Sequence, residues 1–445
     1  GRDYPVMLRI SADEFLRESM FPFSEDGLLL DEAIEICKYL VPFGLDAINV
    51  SAGIYETMNQ AWEPISFAEG WKIYLAEAVK KAVDVPVFGV GVIRNPEFAE
   101  KIIAEGRVDG VTIARGLLAD PDWVNKAAAG QVDEIRRCIS CLNCMDSMIE
   151  NGMKGEPFAC AINARAAREW FYNDDRRDGD GRLVVVIGGG PAGMEAARKL
   201  AQRQFKVVLF EKNSELGGQL CLGNKPPHKD KINWLIDYYK TQLTKLGVDV
   251  RLNTPATHNA ISALDPYAVF VGTGAEAIVP QSIKGVKKAH VCTSSDILSG
   301  KVTLTGKKVA VIGSGMTGVE TAELLETQDN EVFVVEMADR IGPDASWQSF
   351  SDVQARLMRF GTVFMPAHKL VEIEDQSIKL EQPDGQHIDL AVDHVVLSLG
   401  VKADQTLADE ILKNFDRVEK IGDVAQVGRI ANAVETGFVA AYHLV

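Results

Sequence analysis

Apolar and polar positions follow two different patterns, one typical of strands and one of helices, over the first third of this 445-residue chain. Short apolar runs rich in β-branched residues, flanked by glycine or proline, predict strands at 4–10, 45–50, 85–90 and 110–114. Helical spacing of apolar residues predicts helices at 30–39, 68–83, 96–105 and 121–129. Alternating strands and helices imply a parallel sheet, and the commonest closed form is the (β/α)8 barrel. We therefore expect residues 1–135 to be the C-terminal half of a barrel, in a fragment of a longer protein.

The ends of these predicted strands carry residues that suit a phosphate-bearing ligand. Gly91 follows the third strand, and Ala114 and Arg115 close the fourth. Barrel active sites lie at C-terminal strand ends, and a phosphate site commonly follows the last two strands. Glycine admits a phosphate to the backbone and arginine pairs with it, although both also serve turns and barrel caps. Arg9 ends an apolar strand, and a buried guanidinium there would need an electron-rich partner such as a flavin N1/O2 edge.

A different pattern begins at residue 181. An apolar strand predicted at 183–187 runs into a G-x-G-x-x-G turn and a helix predicted at 194–204, and the turn contains Gly188, Gly190, Ala192 and Gly193. A second strand, predicted at Lys206–Phe210, ends at Glu211, which lies 23 residues after Gly188. Glycines at this spacing let a pyrophosphate approach the helix N-terminus, and the acid can hold a ribose hydroxyl. This region is predicted to bind a dinucleotide.

The same arrangement recurs 125 residues later. A strand predicted at Lys308–Ile312 precedes Gly313, Gly315 and Gly318, and a helix is predicted at 319–326. The next strand, Glu331–Val335, ends at Glu336. Two complete fingerprints predict two bound dinucleotides, the alternative being one empty, vestigial fold. Glu336 would repel a 2′-phosphate and so favours NADH over NADPH, an inference that the neighbouring Arg340 weakens.

Further pieces fit the first dinucleotide fold. Gly218 and Gln219 lie in a loop that could line a flavin, and an apolar strand runs into a glycine turn at 272–274. Asp423 precedes a helix predicted from Ile430, where it would either bind a ribityl chain or cap the helix. The first fold is thus predicted to be split around the second. The expected domains are a half barrel at 1–135, a cysteine loop and linker at 136–180, a first fold at 181–300 plus 391–445, and a second fold at 301–390.

Three closely spaced cysteines lie between the half barrel and the two folds. Cys138, Cys141 and Cys144 follow a C-x-x-C-x-x-C pattern, and Cys160 supplies a more distant fourth thiol. Structural zinc usually uses two separated C-x-x-C pairs, whereas a triple run with a remote fourth cysteine is typical of a [4Fe–4S] cluster. The spacing favours the cluster, with a zinc site and a disulfide pair left as alternatives.

Composition limits the classes of partner and compartment. The net charge of −16 argues against nucleic acid and anionic membranes as partners, and no apolar run is long enough to span a bilayer. Seven cysteines without a disulfide-like framework fit a reducing compartment. A cytoplasmic protein is therefore predicted, and a homo-oligomer is compatible with the sequence.

Taken together, the order of these motifs resembles the iron–sulfur flavoenzymes related to old yellow enzyme, a family that includes 2,4-dienoyl-CoA reductase, 2-enoate reductase, bile-acid oxidoreductases and trimethylamine dehydrogenase. The resemblance covers essentially the whole chain, although the gap before Cys160 is longer than is usual in the family. It implies FMN in the barrel, a [4Fe–4S] cluster beside it and FAD in the first dinucleotide fold. The residues implied for FMN and the cluster are Arg9, Gly91, Ala114, Arg115, Cys138, Cys141, Cys144 and Cys160.

The predicted function is NADH-dependent reduction of an activated C=C bond in an enoate, enoyl-CoA or enone. Electrons would pass from NADH to FAD, singly through the cluster, and then to FMN. No catalytic acid is assigned because the family draws it from strands that this chain lacks, and Tyr55 is a candidate only by its place near a strand end. The alternatives are an amine dehydrogenase that reduces a carrier protein, and a fragment that only delivers electrons.

Overall fold

The computed structural model of the protein describes residues 4–18 and 26–445. Residues 1–3 and 19–25, which belong to the predicted 1–135 domain, lie outside the described residues. The chain divides into two compact units, Gly1–Leu142 and Asn143–Val445, and the boundary falls between Cys141 and Cys144. Within the described ranges, every helix is too short or too polar to cross a membrane.

The first unit is built on a parallel sheet. Its strands are β1 Met7–Ser11, β2 Ala47–Ser51, β3 Val87–Gly89 and β4 Gly110–Val111. Its helices are α1 Leu30–Leu40, α2 Met58–Ala61, α3 Ile73–Lys80, α4 Pro96–Ala104, α5 Arg115–Ala119 and α6 Trp123–Ala128. The strands pair in the order β1-β2-β3-β4, all parallel. The predicted run of four strand–helix units is therefore confirmed.

Burial of one face explains why these elements pack together. Ile48 and Val50 of β2 lie in one apolar cluster with Ala33 of α1, Ile73 of α3 and Ile102 of α4. Strands covered by helices on a face need a continuous apolar surface, which the β-branched runs supply. Helix α3 is shorter than its predicted range of 68–83 because the chain first turns through Gly70, which has a φ of +71°.

The second unit contains two five-stranded parallel sheets with similar strand orders. Its strands are β5 Leu183–Ile187, β6 Lys206–Phe210, β7 Asp249–Arg251, β8 Ala268–Val271, β9 Ala275–Ala277, β10 Val291–Thr293, β11 Lys308–Ile312, β12 Glu331–Val335, β13 Val363–Met365, β14 Lys369–Ile373, β15 Ser377–Glu381, β16 His387–Ala391, β17 His394–Leu397, β18 Val401–Ala403 and β19 Val418–Lys420. Its helices are α7 Asn143–Gly152, α8 Pro191–Gln202, α9 Leu220–Gly223, α10 Ile232–Lys245, α11 His258–Ser262, α12 Ser294–Leu298, α13 Met316–Glu326, α14 Trp347–Phe360, α15 Thr406–Asn414 and α16 Ile430–His443.

The strand orders place both glycine turns at equivalent points. One sheet runs β19-β8-β5-β6-β7 and the other β10-β17-β11-β12-β13. In each sheet the chain order reverses beside the strand that precedes the glycine turn, β5 or β11. Ligands of open parallel sheets bind at this switch point, outside the carboxyl ends of the strands. Both glycine turns therefore lie at the point of their sheet where a ligand crevice is expected.

The second fold is inserted in the first, as the sequence predicted. Strand β8 precedes the insertion and its partner β19 follows it, and the short antiparallel pair β9 and β18 links the two folds. The inserted sheet also uses Val291–Thr293 and His394–Leu397, which lie outside the expected range of 301–390. A three-stranded antiparallel sheet, β14-β15-β16, packs within the same insertion.

Candidate functional site

The first glycine turn joins β5 to α8 through three glycines with different tasks. Gly188 has a φ of +100°, and a Cβ on it would lie 2.2 Å from the Gly272 carbonyl oxygen. A Cβ on Gly193 would lie 1.9 Å from the Gly188 carbonyl oxygen, so only glycine lets the helix pack against the strand. Gly190 precedes α8, and no atom lies within 4 Å of the position of its Cβ. The backbone at the N-terminus of α8 therefore leaves room for a phosphate.

The second turn, between β11 and α13, repeats this geometry. Gly313 also has a φ of +100°, and its Cβ would lie 2.3 Å from the Ser398 carbonyl oxygen. A Cβ on Gly318 would lie 2.1 Å from the Gly313 carbonyl oxygen. Gly315 precedes α13, and again no atom lies within 4 Å of its Cβ position. Both folds keep the backbone geometry that a dinucleotide pyrophosphate needs.

The acid at the end of the next strand contacts its own glycine turn in both folds. Glu211 is buried, and its carboxylate accepts hydrogen bonds from the amides of Gly189 and Asn213, both at 2.7 Å. Glu336 is also buried, and Oε1 accepts from the Ala338 amide at 2.9 Å. Each carboxylate is therefore fixed at its turn, where a ribose would lie.

A serine distinguishes the second fold, at the position that Gly189 holds in the first. The Ser314 hydroxyl donates to Glu336 Oε2 at 2.7 Å, and its amide donates to the same oxygen at 3.0 Å. Burial raises the pKa of Glu336, but the Ala338 amide and Ser314 lower it by more, so the net pKa lies below its ordinary value. Arg340, which weakened the NADH prediction, donates to the Pro343 carbonyl oxygen at 2.7 Å. Within the described residues it forms no ion pair with Glu336.

The other predicted residues of the first fold gather around its turn. A Cβ on Gly218 would lie 2.9 Å from the Cα of Gly190. Gln219 donates from Nε2 to Asp423 Oδ2 at 3.0 Å, and Asp423 Oδ1 accepts from the Gly428 amide at 3.1 Å. Burial raises the pKa of Asp423 above its ordinary value. Arg429, not Asp423, precedes α16, so the alternative role as the cap of that helix is wrong.

An orphaned hydroxyl supports the fit of a ligand at this turn. Thr273 follows β8 beside Gly188, and its buried Oγ1 has no hydrogen-bond partner among the described residues. A buried polar group without a partner is costly, and such a group often belongs to a ligand site. The residues present therefore fit a flavin dinucleotide.

In the first unit, Arg9 differs from its prediction. Its side chain is exposed, so the premise of a buried guanidinium is wrong. Strand pairing sets Arg9 level with Asn49, and the guanidinium donates to the Asn49 side chain and, at 3.1 Å, to the Ser51 hydroxyl. Asn49 in turn donates to the Thr112 hydroxyl at 2.6 Å. Arg9 thus begins a polar row that crosses the sheet.

Arg115 belongs to a buried ionic cluster that sequence reasoning missed. It pairs with Glu63 Oε2 and also donates to the Glu63 carbonyl oxygen at 2.7 Å. Lys72 pairs with Glu63 Oε1 at 2.7 Å, and the two side chains are only 3% and 4% exposed. Burial raises the pKa of Glu63, but Lys72 and Arg115 lower it by more, so the net pKa is depressed.

This cluster carries two cations for one carboxylate, so a net positive charge is buried beside the predicted phosphate site. Gly91 has a φ of +139° and its Cβ would lie 2.9 Å from Lys72 Cγ, which places that glycine at the cluster. Buried charges need compensation, and a phosphate dianion would supply it. The residues therefore fit a phosphate-bearing flavin. Ala114 immediately precedes α5, which begins at Arg115.

The four predicted cysteine ligands lie in different settings. Cys138 is buried in the first unit, which also contains Cys141, whereas Cys144 lies in α7 and Cys160 follows it in the second unit. All seven cysteines lie in the described residues and none forms a disulfide, so the disulfide alternative is wrong. Across the described residues, no three His, Cys, Asp or Glu side chains are arranged to hold a single metal ion.

The loop around Cys138 has a strained backbone and an amide hydrogen bond to sulfur. Ser140 and Leu142 both have positive φ values, 54° and 60°, which non-glycine residues adopt only at a cost. The Ser140 amide donates to Cys138 Sγ at 3.4 Å, and hydrogen bonds to sulfur are one way proteins tune iron–sulfur clusters. Burial raises the pKa of the Cys138 thiol, but the Arg94 and Arg115 guanidiniums lower it by more. The donor set therefore suits a cysteine-bound cluster.

The unusually long gap before Cys160 contains α7 and its return segment. Asn143, at the start of α7, donates to the Ala159 carbonyl oxygen at 2.9 Å, and the Ala159 amide donates to the Ser147 hydroxyl at 2.8 Å. Asn151 closes the return by donating to the Pro157 carbonyl oxygen at 2.8 Å. The extra residues therefore form a helix and a return loop, and hydrogen bonds hold Ala159, the residue before Cys160, against the start of α7.

Comparison with known proteins matches two family models to the chain. Residues 3–134 match the NADH:flavin oxidoreductase / NADH oxidase family, and residues 182–433 match the pyridine nucleotide-disulphide oxidoreductases. An NADH oxidase from Thermoanaerobacter brockii is 39% identical over the whole chain, which covers 67% of that protein. A cinnamate reductase from Clostridium sporogenes is 31% identical, with the same two coverages.

A solved structure is similar over the same extent. The structure of 2-naphthoyl-CoA reductase with 2-naphthoyl-CoA is 29% identical, with a TM-score of 0.93, and covers 100% of this chain and 66% of its own. The chain thus spans about two-thirds of the length of the relatives it matches. These matches identify an NADH-dependent flavin enzyme, as the sequence predicted. The chain belongs to the old yellow enzyme-related NADH:flavin oxidoreductases that carry a pyridine nucleotide-disulphide oxidoreductase region after the barrel-type domain.

Proposed function

We propose that the full-length protein reduces an activated C=C bond at the expense of NADH, through FAD, a [4Fe–4S] cluster and FMN. The observation that carries this proposal is the presence of two complete dinucleotide turns in one chain with a flavin oxidoreductase unit. Two relatives, a cinnamate reductase and a 2-naphthoyl-CoA reductase, are named for substrates whose unsaturated carbons are conjugated to a carbonyl group. An enoate or an enoyl thioester is therefore the favoured substrate class, with an enone as the third candidate.

The second fold is the proposed NADH site. The pyrophosphate would lie at the N-terminus of α13, where Gly315 leaves the backbone open. Glu336 is held ionised by Ser314 and Ala338, so it can accept hydrogen bonds from a ribose and would repel a 2′-phosphate. NADH is therefore favoured over NADPH.

The first fold is the proposed FAD site. Gly190 opens the N-terminus of α8 to the pyrophosphate, and Glu211 is fixed at the same turn for the adenosine ribose. Gln219 and Asp423 form a hydrogen-bonded pair that can contact the ribityl chain. The orphaned Thr273 hydroxyl would gain a partner from the bound flavin.

The first unit is the proposed FMN site, and its ionic cluster would bind the phosphate. Arg115 and Lys72 provide the positive charge, and Glu63 holds both side chains in place. Gly91, which lies against Lys72, would admit the phosphate to the backbone, and Ala114 would contact it from the residue that precedes α5. Arg9, at the end of the polar row, would face the electron-rich edge of the flavin ring.

The cysteines at 138, 141, 144 and 160 are the proposed cluster ligands. When bound, the flavins exchange electron pairs with NADH and substrate, and the cluster carries electrons singly between them. This division of labour would account for proposed ligand residues of all three kinds in one chain. The domain boundaries predicted from the sequence stay part of this proposal.

The test begins with cofactor analysis of the full-length protein, purified without oxygen. We expect about four iron atoms, about one FMN and about one FAD per chain. NADH added without substrate should bleach both flavins, and cinnamate or a 2-enoyl-CoA should then reoxidise them and gain two hydrogen atoms, measured by mass spectrometry. Zinc in place of iron, or flavins that NADH leaves oxidised, would refute the proposal.

The same experiment separates the rival functions. In an amine dehydrogenase, a methylated amine would bleach the flavins and NADH would not. An enzyme that only delivers electrons would be bleached by NADH but would reduce a carrier protein and leave every unsaturated substrate unchanged. The fixed carboxylate of Glu336 supports the proposed NADH site and so favours the reductase over the amine dehydrogenase.

A further inference from the structure

Arg94 is a buried cation without an acidic partner. Its side chain is buried in the first unit, and the residue is 3% exposed. The guanidinium donates to three neutral oxygens, from Nε to the Cys138 carbonyl at 3.3 Å, from Nη1 to the Ile93 carbonyl at 2.9 Å and from Nη2 to the Ser140 hydroxyl at 3.5 Å, and it also interacts with the Cys138 side chain. Glu69 binds the backbone amides of Arg94 and Asn95. Throughout the described residues, no carboxylate pairs with the Arg94 guanidinium.

Such an arrangement is expensive unless an anion lies nearby. A buried charge loses its hydration free energy, and hydrogen bonds to neutral carbonyls compensate for only part of that loss. By contrast, Lys72 and Arg115, the two cations of the ionic cluster in the same unit, both pair with the carboxylate of Glu63. Arg94 instead contacts the turn that presents a cysteine, and the charge that would compensate it is that of a metal-bound thiolate.

A second guanidinium, that of Arg137, supports the same conclusion. Arg137 precedes Cys138, and its buried Nε has no hydrogen-bond partner among the described residues. Trp123 fixes Arg94 from the other side, because its indole N–H donates to the Arg94 carbonyl oxygen at 3.1 Å. The position of Arg94 is therefore set by the fold, and its charge is directed at the Cys138–Ser140 turn.

We propose that Arg94 is a positioning residue for the cluster. Arg94 holds the Cys138–Ser140 turn, and its buried positive charge beside that turn raises the reduction potential of the cluster. The inference rests on the proposed function, since it requires the cysteines to hold an iron–sulfur cluster. The step concerned is the gain and loss of one electron, with NADH as the ultimate reductant and no bond made or broken at the cluster. The reduced cluster has one more negative charge, so a nearby cation stabilises it relative to the oxidised form.

Charge and hydrogen bonding can be separated by substitution. Arg94→Gln and Arg94→Met remove the charge, and Gln keeps some capacity to donate to the Cys138 carbonyl. Arg94→Lys keeps the charge and loses the planar fork. Arg107→Gln is the matched control, because Arg107 lies in the same unit but is partly exposed and pairs with Glu77 at 2.8 Å.

The measurement is a redox titration of the cluster, followed by electron paramagnetic resonance on the full-length, oxygen-free protein, with iron and flavin content determined for each variant. At a fixed potential, Arg94→Gln and Arg94→Met should lower the reduced-to-oxidised ratio about tenfold, a 59 mV fall in midpoint for a one-electron couple. Arg94→Lys should stay within about threefold of the wild type, and Arg107→Gln should not change.

Each outcome decides the proposal. A neutral variant that keeps its iron and its wild-type midpoint refutes it. Loss of iron from both neutral variants also refutes the tuning role, because it assigns Arg94 to building the loop alone. A wild-type protein without iron is a different result, since it refutes the proposed cluster and not the role of Arg94 within it.

Discussion

The two glycine turns allow one substitution to be aimed at each dinucleotide. Gly190 and Gly315 occupy equivalent places before α8 and α13, with φ values of −75° and −58° that alanine also adopts. No atom lies within 4 Å of either Cβ position, so the methyl group of an alanine meets no other part of the protein. It would instead stand where a pyrophosphate approaches the helix N-terminus.

The expected magnitudes follow from this geometry. A hydrogen bond to a charged group contributes about 1.5–3 kcal/mol, so loss of one amide–phosphate contact weakens binding about 10- to 140-fold. Stability should change by less than about 1 kcal/mol, because the gain from restricting the unfolded chain offsets the poorer N-cap. Gly315→Ala should therefore raise the KM for NADH and retain FAD, whereas Gly190→Ala should lose FAD.

The assay is stopped-flow bleaching of the flavins by NADH, combined with FAD content after desalting and thermal unfolding of each variant. Gly152→Ala is the matched control, because its Cβ position is equally open but it is the last residue of α7 and belongs to neither glycine turn. If Gly315→Ala leaves the KM for NADH unchanged, or if both variants lose FAD equally, the assignment of the two folds is wrong.

Three further substitutions test other parts of the site. Gly193→Ala should cost about 3 kcal/mol or more in unfolding free energy, because its methyl group would lie 1.9 Å from a carbonyl oxygen; equal stability of this variant and Gly190→Ala would contradict the packing argument. Glu336→Gln should lower the NADH-to-NADPH ratio of kcat/KM about tenfold, by removing repulsion of the 2′-phosphate. Because the pKa of Glu336 is lowered by folding from its ordinary 4.5, its ionised form stabilises the fold above that pH, and this contribution is lost as the pH falls through the depressed value. Urea unfolding should therefore separate wild type from Glu336→Gln at neutral pH, and a gap that persists in strong acid would contradict the linkage. Glu63→Gln should destabilise the flavin-free protein by about 3–5 kcal/mol, since it leaves two buried cations uncompensated, and added FMN should recover part of the loss. The surface-paired control Glu77→Gln should cost under about 1 kcal/mol, and equal effects of the two would refute the buried cluster.

Local signals in the sequence predicted the dinucleotide folds closely. Lys206–Phe210, Lys308–Ile312 and Glu331–Val335 are strands with the bounds that were predicted. The reason is that strand, glycine turn and terminal acid lie within one short segment, whose conformation depends mainly on neighbouring residues. Even here the helix α8 begins at Pro191, earlier than predicted, because proline is well suited to the first helical turn.

Long-range contacts were beyond the reach of the sequence. The contact between Glu63 and Arg115 joins residues 52 positions apart, and no motif links them. Arg94 and Cys138 are 44 positions apart, and only the folded chain brings the guanidinium to the cysteine turn. Arg9 was expected to be buried from the apolar residues around it, yet its strand leaves the side chain exposed.

Ser314 illustrates the difference between what the sequence predicts and what only the tertiary structure decides. Its place inside the second fingerprint was visible in the sequence, but its contact with Glu336 depends on β12 returning beside β11. The sequence alone determined the family, from the order of its motifs, and the two dinucleotide folds, because each fold rests on short, local spacing; the four cysteine ligands stay a prediction. Only the tertiary structure decided which buried charges neutralise each other and which lack a partner, because electrostatic compensation depends on distances between residues far apart in the chain.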